Sequence, residues 1–371
     1  MDPWRFYNRL VLGVLGLMAA VVLPVAWWLE PLAGDLTRLG GYAENMFGPL
    51  APHQRFHPPL ARPGPLDQPI DVLVIGDSFS IAPPGEEGSH AGTHWADHLA
   101  ALTGLTVRVI HQNRLDVWDY LGSELFRRHP PRVFLYETAE RYINRRPTAP
   151  TAPLPSPHPA ARPEPAPLPL RPRPEAPAEE VRPLHTPWTE PNFGEAVNYL
   201  LKAAARNLGA DSTPAVVRAL TRRGLFSCRQ PGLALFIDED FAPWKRDAAL
   251  LNQKRSTLNR MRAVAEANGH TRFAALIAPD KATIYADHLT DPRPDTGVLD
   301  ALDDGEDTLI RVDHPLRKAV NRGVRDVYLP NDTHWGTPGH RLVAETVVEH
   351  LRRRGILADI PREVRAEGGP E

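Results

Sequence analysis

The sequence predicts an α/β fold with three layers, in which a mostly parallel β-sheet lies between helices. Short apolar runs rich in β-branched residues alternate with segments of helical periodicity, and this alternation is typical of parallel sheets. It occurs on both sides of a proline-rich stretch, which predicts one fold interrupted by an insertion. An apolar N-terminal segment adds one predicted transmembrane helix. The chain has 371 residues, of which 42% are hydrophobic, so it can bury a sizeable core.

Charge and cysteine content exclude several classes of protein. The chain carries 43 Lys and Arg against 45 Asp and Glu, a formal net charge of -2. This balance is not that of a basic nucleic-acid-binding protein or of a chain kept unfolded by its own charge. The single cysteine, Cys228, excludes an internal disulfide framework, a cysteine-rich zinc site and a C-x-x-C redox pair. We expect neither a cofactor nor a metal.

Residues 10–29 contain no charged side chain. As a helix they would be about 30 Å long, one hydrocarbon thickness of a bilayer. Arg5 and Arg9 precede this segment, and Trp27 and Trp28 lie where an interfacial aromatic belt would be, which predicts a cytoplasmic N-terminus and a periplasmic remainder. The alternative is a cleaved signal peptide, but the apolar run is longer than usual and no A-x-A site closes it. We therefore expect a single-pass inner-membrane protein.

Residues 147–187 include 15 prolines and almost no aromatic residues. Such composition favours polyproline II over any packed element, so this stretch is predicted to be a disordered insertion. A spacer without a partner is favoured over a docking motif.

The element predictions follow from periodicity. Strands are predicted at residues 71–75, 106–110, 133–136, 232–238, 273–278, 308–312 and 327–329. Helices are predicted at residues 95–102, 117–128, 193–208, 214–225, 246–268 and 338–354.

These elements divide the chain into consecutive parts. They are a cytoplasmic N-terminus (1–9), a transmembrane anchor (10–29), a connecting segment (30–69), the first part of the α/β domain (70–146), the proline-rich insertion (147–187), a helical insertion or subdomain (188–269), the second part of the α/β domain (270–358) and a flexible tail (359–371).

The first predicted strand ends in Ile75-Gly76-Asp77-Ser78. A glycine at this point lets the chain turn sharply and places the serine in the crevice where open α/β sheets bind ligands. Ser78 is therefore a candidate nucleophile. Asp77 is expected to hold the turn by hydrogen bonding rather than to transfer a proton.

A second polar motif, Asn331-Asp332-Thr333-His334-Trp335, follows the last predicted strand. A serine hydroxyl needs a base to take its proton, and a carboxylate can orient that base and stabilise its charged form. His334 and Asp332 fit these two roles. Alternatively, Asp332 caps a turn and His334 is a surface histidine. The presence of Ser78 at another strand end favours catalysis.

These motifs resemble a known family. The early GDSF (76–79) and the late Asp332-x-His334-Trp335 are similar to motifs of the SGNH/GDSL hydrolase superfamily, and specifically of the branch that resembles the alginate O-acetyltransferases. Glu140-Arg141 and the segment PDKATIY (279–285) are similar to further motifs of that branch. The resemblance covers about residues 70–145 and 270–350. Here the serine motif comes first, as in ordinary SGNH esterases, whereas it comes second in the alginate enzymes.

The resemblance implies a flavodoxin-like SGNH fold and an acetyltransferase activity in exopolysaccharide biosynthesis. It also implies a partner, a membrane-bound O-acyltransferase that supplies the acetyl group.

Candidates for an oxyanion hole are the Ser78 N–H, expected at a helix start, and Asn113, just after the second predicted strand. Arg141 is a further candidate at the mouth, although an ion pair with Glu140 or Glu137 is favoured.

Other candidates could bind substrate. Lys281 and Tyr285 could contact an acceptor sugar or merely pack at the rim of the site. Trp335 could be a sugar platform or a core residue.

Three histidines, His90, His94 and His98, recur at intervals of four residues. On one continuous helix they could bind a metal, but Gly92 interrupts the pattern and no carboxylate motif accompanies it. We expect a solvated helix face instead.

Together these observations predict a membrane-anchored extracytoplasmic enzyme that forms an acyl-enzyme on Ser78 and passes the acyl group, expected to be acetyl, to a polysaccharide hydroxyl. One alternative is a carbohydrate esterase that uses the same residues. Another is a catalytically inert scaffold of a polysaccharide export assembly.

Overall fold

The computed structural model describes residues 3–30, 33–82, 91–148, 165–173, 178–181, 193–210, 213–291 and 297–358. Most of the proline-rich stretch, together with His90 and the tail from residue 359 onward, lies outside these ranges. The predictions for those parts therefore stay predictions. The prediction of a disordered insertion over all of residues 147–187 was wrong for the pieces that the structure describes: Leu168 and Leu170 are buried in the main core, and Ala178–Val181 pairs antiparallel with His53–Phe56.

The described ranges contain helices and strands in the following bounds. The helices are α1 (Pro3–Trp28), α2 (Asp35–Gly40), α3 (Glu44–Phe47), α4 (Trp95–Thr103), α5 (Val117–Gly122), α6 (Glu124–Arg128), α7 (Phe193–Asn207), α8 (Ala248–Glu266), α9 (Lys281–Tyr285), α10 (Val298–Leu302), α11 (Asp313–Arg322) and α12 (Thr337–Arg353). The strands are β1 (His53–Phe56), β2 (Val72–Gly76), β3 (Val107–His111), β4 (Val133–Ala139), β5 (Ala178–Val181), β6 (Ala215–Ala219), β7 (Leu233–Ile237), β8 (Arg272–Ala278) and β9 (Leu309–Ile310).

The central sheet is five-stranded, in the order β3-β2-β4-β8-β9. Every neighbouring pair in it is parallel. The predicted parallel sheet is thus confirmed. Because parallel strands present their carboxyl ends at one edge, the turns after β2, β4 and β8 converge there.

Two hydrophobic clusters cover the two faces of this sheet. Alternate residues of β2 point in opposite directions, so Val72 and Val74 join one cluster and Leu73 and Ile75 join the other. On the first face the sheet packs against α4, α11 and α12, and on the second against α5, α6, α8 and α10. This double coverage explains why the strands are apolar on both faces.

Two element predictions were wrong. The predicted helix at 214–225 is instead strand β6, which pairs antiparallel with β7. Its adjacent β-branched residues Val216 and Val217 favour a strand once a partner strand lies beside them. The predicted strand at 327–329 does not join the sheet; Leu329 N–H donates to the His334 carbonyl at 3.0 Å, so this segment pairs with the loop that follows it.

The N-terminal helix α1 is the helix of the described ranges that is long and apolar enough to cross a membrane. It spans 26 residues, and only 6% of its most apolar 18-residue window is buried. The length and apolar composition of α1 are what support a membrane span, and a signal sequence shares both properties.

The segment that follows α1 packs onto the domain. Leu36 and Phe47 form a small cluster with Ala215 and Leu235 of the β6-β7 pair. Residues 33–47 are thereby packed against the β6-β7 pair.

The histidine pattern does not lie on a solvated face. His94 precedes the first residue of α4, and both His94 and His98 are buried. The His98 ring packs edge-on against Phe56 with centroids 5.0 Å apart, and burial lowers the pKa of His98 to about 4. The expectation of exposed histidines was therefore wrong, because α4 packs tightly against α12 on one face of the sheet.

Candidate active site

Ser78 lies in a tight turn at the carboxyl end of β2. A Cβ atom at Gly76 would lie 2.6 Å from both Glu137 Oε2 and Ser80 Oγ, so only glycine fits at this position. The turn that follows closes through the Ile81 N–H, which donates to the Asp77 carbonyl at 3.1 Å. It is a single turn; the helix start expected at Ser78 is not found in the described residues.

The structure brings Ser78, His334 and Asp332 into one hydrogen-bonded row. His334 Nε2 lies 2.7 Å from Ser78 Oγ, and His334 Nδ1 lies 2.5 Å from Asp332 Oδ1. Ser78 is half-buried, and the His334 side chain remains 24% exposed, whereas Asp332 is buried. This is the geometry of a nucleophile, a base and an orienting carboxylate with the nucleophile open to solvent.

Charge around His334 favours its protonated form. Burial alone would lower the pKa of His334, but the charge of Asp332 and its hydrogen bond to the ring outweigh burial, so the pKa is raised above its ordinary value. The carboxylate of Asp332 therefore stabilises the imidazolium that forms when His334 takes a proton.

Asp35, in the segment after α1, is a second carboxylate at this site. Its backbone N–H donates to Asp332 Oδ2 at 3.0 Å, and its own Oδ1 accepts from the Thr333 N–H at 2.8 Å. Its Oδ2 lies 3.9 Å from His334 Nδ1. Burial first, and then the charge of Asp332, raise the pKa of Asp35 to about 6.

The close approach of residues 33–36 to the loop that carries Asp332 also requires a glycine. A Cβ atom at Gly34 would lie 2.1 Å from the Asn331 carbonyl oxygen, which itself accepts from the Leu36 N–H at 3.1 Å. Nothing in the sequence of residues 33–36 points to catalysis, so sequence reasoning missed Asp35.

Buried carboxylates fix the turn that carries Ser78. Asp77 accepts hydrogen bonds from the Phe79 N–H at 3.0 Å and from the Ala139 N–H at 2.7 Å. Glu137 accepts from the Asp77 N–H at 2.9 Å, and its burial raises its pKa well above the ordinary value. Asp77 therefore ties the turn to β4, which is the role expected for it.

The backbone N–H of Ser78 differs from those of its two neighbours in its hydrogen bonding. The Asp77 N–H donates to Glu137 of β4 and the Phe79 N–H donates to Asp77 within the turn, whereas among the described residues no group accepts a hydrogen bond from the Ser78 N–H. That amide can therefore donate to an oxyanion on an atom bonded to Ser78 Oγ.

Arg141 is buried behind the loop that holds His334. Its guanidinium pairs with Asp280 at 3.2 Å and donates to Thr333 Oγ1 at 3.2 Å. Neither Glu140 nor Glu137 is its partner in these ion pairs, so that expectation was wrong. Glu140 pairs instead with Lys245 at 3.0 Å, and Lys245 also contacts Asp280 at 2.5 Å. Sequence reasoning missed Lys245 and Asp280, because their pairing depends on the packing of β4, β8 and the 3₁₀ turn at Pro243–Arg246.

Three further candidates are buried and do not reach the surface. Lys281 donates to the carbonyls of Leu329 at 2.7 Å, Pro330 at 3.1 Å and Asp332 at 3.2 Å. Burial lowers its pKa to about 8. Tyr285 stacks on Phe226 with ring centroids 4.8 Å apart.

Trp335 is also a core residue, since its ring packs against Phe79 at 4.6 Å. Burial of Lys281, Tyr285 and Trp335 corrects their assignment as sugar contacts in favour of the packing alternative.

Asn113 is exposed in the turn after β3, the strand next to β2. Its side-chain oxygen accepts from Arg146 at 2.8 Å, and its N–H donates to His111 Nδ1 at 3.1 Å. Asn113 is thus on the correct edge of the sheet, and its place in an oxyanion hole stays a prediction.

Within the part of the chain that the structure describes, the ligand atoms of Asp35, Asp332 and His334 lie within 4.8 Å of one another and could hold a metal ion. The His334 Nδ1 atom that such an ion would need already bonds to Asp332. The arrangement of these side chains therefore fits proton transfer along the row from Ser78 through His334 to Asp332.

Comparisons with known proteins point to the same family as the motifs. Residues 235–370 match the family model of the SGNH hydrolase-like domain of the acetyltransferase AlgX. The chain is 26% identical over 159 residues to the probable alginate O-acetylase AlgJ of Pseudomonas putida. That match spans 39% of this chain and 40% of the relative, so the alignment reaches less than half of either protein. No solved structure matches significantly.

The chain therefore resembles the SGNH branch that is similar to the alginate O-acetyltransferases. The matched family region contains Asp280, Lys281, Asp332 and His334, whereas the Ser78 motif precedes it. The contact between Ser78 and His334 joins the matched region to a turn outside it.

Proposed function

We propose that this chain is a membrane-anchored, extracytoplasmic O-acyltransferase of the three-layer SGNH type that acetylates polysaccharide hydroxyls through an acyl-enzyme on Ser78. The observation that carries the proposal is the row from Ser78 Oγ through His334 to Asp332, at 2.7 and 2.5 Å. The similarity to the AlgX domain and to the alginate O-acetylase supports acetyl transfer to a polysaccharide.

In the first half-reaction Ser78 Oγ attacks the carbonyl carbon of the acyl donor. His334 Nε2 takes the Ser78 proton, and Asp332 stabilises the resulting imidazolium through Nδ1. The Ser78 N–H donates to the developing oxyanion. The imidazolium then gives its proton to the leaving group as the bond between that group and the carbonyl carbon breaks.

In the second half-reaction a sugar hydroxyl attacks the ester on Ser78. His334 removes the hydroxyl proton and returns it to Ser78 Oγ when the acyl-enzyme bond breaks. If water attacks instead, the products are a free acid and the free enzyme. Transfer and hydrolysis thus share every residue named here, and the half-exposed Ser78 is open to both acceptors.

The orientation of α1 determines which acyl donor can reach the site. With α1 spanning the inner membrane the site is periplasmic, on the side away from cytoplasmic acetyl-CoA. The proposed donor is therefore a membrane-bound O-acyltransferase partner that delivers acetyl groups across the membrane.

The test is an acyl-transfer assay with the full chain in detergent or nanodiscs. An activated acetyl ester is supplied with and without polyuronate oligosaccharides, and both free acetate and acetylated oligosaccharide are measured by mass spectrometry. We expect oligosaccharide acetylation that Ser78→Ala abolishes. Ser256→Ala, which changes an exposed hydroxyl on α8, is the matched control and should keep full activity.

Two outcomes would overturn the proposal. Free acetate alone, with no acetylated oligosaccharide, would identify an esterase. Equal activity of Ser78→Ala and the unchanged chain would exclude the acyl-enzyme and leave the scaffold alternative.

A further inference from the structure

Helix α7 exposes one stripe of apolar side chains to solvent. Phe193, Val197 and Leu201 recur every four residues along one face, and Leu208 continues the stripe just beyond the helix. Their exposed fractions are 46%, 44%, 66% and 83% respectively. A helix on the surface of a water-soluble domain has the opposite arrangement, with its apolar face against the core.

The opposite face of α7, which carries the buried Ala196 and the cationic Lys202 and Arg206, contacts the protein. Lys202 Nζ donates to the carbonyls of Arg38 and Leu39, both at 2.9 Å. Arg206 donates to the Gly41 carbonyl at 3.0 Å, and its guanidinium lies 4.4 Å from the ring centroid of Tyr42. These contacts fix the orientation of the helix, so the outward apolar stripe is held in place by its cationic face.

Helix α7 adjoins the end of α1 through Tyr199, which lies on the face of α7 opposite the stripe. The rings of Trp28 and Tyr199 lie 6.1 Å apart, which places α7 beside the last turn of α1. Trp27 and Trp28 are both partly exposed there, at 39% and 38%. Tryptophan is enriched at the boundary between hydrocarbon and water, so this end of α1 is where that boundary is expected.

We propose that α7 lies in the membrane–water interface, with the stripe Phe193–Val197–Leu201–Leu208 inserted into the lipid surface beside α1. This proposal rests on α1 spanning the bilayer. A lipid surface is favoured as the occupant because α7 lies beside the last turn of α1, where Trp27 and Trp28 are partly exposed and the boundary between hydrocarbon and water is expected. Helices with one strongly apolar and one cationic face lie in this plane of a bilayer.

The position of α7 also bears on the position of the active site. Segment 33–47 receives the hydrogen bonds from α7 and also carries Asp35, which contacts Asp332 and Thr333. An interfacial α7 therefore gives the domain a second membrane contact, and this contact holds the Ser78 site at a fixed height above the bilayer. That position suits a donor that is itself membrane-bound.

The test measures depth in the bilayer with single fluorescent labels on the full chain in lipid vesicles. The only native cysteine, Cys228, is buried and is replaced by Cys228→Ser. Separate Leu201→Cys, Gly16→Cys and Glu349→Cys variants then carry an environment-sensitive dye. Gly16 faces open space in α1, and Glu349 is exposed on α12. We expect spin-labelled lipids to quench the dye at residues 201 and 16, and aqueous iodide to quench it at residue 349.

The outcomes separate α7 from the anchor. A dye at residue 201 that iodide quenches as fully as at residue 349 refutes the interfacial helix. A dye there that neither iodide nor spin-labelled lipid quenches also refutes it, because a protein surface then covers the stripe. If residue 16 escapes lipid quenching, the anchor itself is refuted. The assay reads position alone, so failure of acyl transfer does not affect it.

Discussion

At the scale of single residues, the site depends on how two carboxylates act on one imidazole. Asp332 contacts His334 directly at 2.5 Å, while Asp35 lies 3.9 Å from the same nitrogen and is held by Thr333. Direct contact orients the ring, whereas the more distant charge acts mainly on its pKa. The two carboxylates should therefore affect activity in different ways.

Replacing Asp332 by asparagine should remove most of the activity. The amide keeps the shape but no longer stabilises the imidazolium or selects the correct tautomer, a loss of about 10⁴-fold in kcat in a serine protease triad. The pKa of His334 should also fall, so the acid limb of the pH–rate profile should move to lower pH. Steady-state kinetics with the activated ester between pH 5 and 9 test both effects. An Asp332→Asn enzyme with normal kcat would contradict the proposed role.

Asp35→Asn should change the pH profile more than the maximal rate. The charge of Asp35 helps to raise the pKa of His334, so its loss lowers that pKa and the acid limb moves to lower pH. The pKa of Asp35 is about 6, so its carboxyl group is ionised above that pH and neutral below it. The difference between variant and unchanged enzyme should therefore shrink below pH 6. An identical acid limb in both proteins would show that Asp35 does not act on His334.

At the scale of elements, the loop that carries Asp332 and His334 is held by side chains from other elements. Residues 327–329 pair back on residues 334–336 instead of joining the sheet. Lys281 at the start of α9 then binds three carbonyls of the loop, and Arg141 binds Thr333. The loop is thereby fixed before substrate binds, as an efficient catalytic row requires.

Lys281→Met should destabilise the protein and disorder this loop. The change leaves three buried carbonyl groups without their donor, at a cost of about 2–4 kcal/mol in the free energy of unfolding. kcat should fall with it, while the exposed control Lys318→Met on α11 should change neither quantity. Urea unfolding and ester kinetics on both variants measure this. If Lys281→Met kept full stability and rate, the loop would have to be held by other contacts.

At the scale of the whole molecule, α1 and the α/β domain are linked through residues 33–47. The same segment contacts α7, the β6-β7 pair and the catalytic loop. Removal of the N-terminal part would therefore alter more than localisation, since Asp35 and Gly34 lie directly after α1.

If α1 is an uncleaved anchor, the protein keeps its full mass. Protein extracted from inner membranes should have the full 41.2 kDa and should resist alkaline extraction. Intact-mass spectrometry of the extracted protein checks this. A shorter, soluble form that lacks the apolar segment would instead identify a cleaved signal peptide.

Sequence patterns predicted the parts of this protein that depend on local chemistry. Gly76 and Ser78 at a strand end, and Asp332 two residues before His334, could be recognised because turn geometry and motif spacing are properties of short segments. The central strands were predicted for the same reason. The error at 214–225 arose where a partner strand overrode local propensity.

Tertiary structure alone decided which distant groups meet. Asp35 and Thr333 are 298 residues apart in the chain, and Lys245 and Glu140 are 105 apart. It also decided that Lys281, Tyr285 and Trp335 are buried and that the apolar face of α7 points outward. Periodicity encodes which side of an element is apolar, but the neighbour that covers that side, or leaves it exposed, is set by the packing of the whole chain.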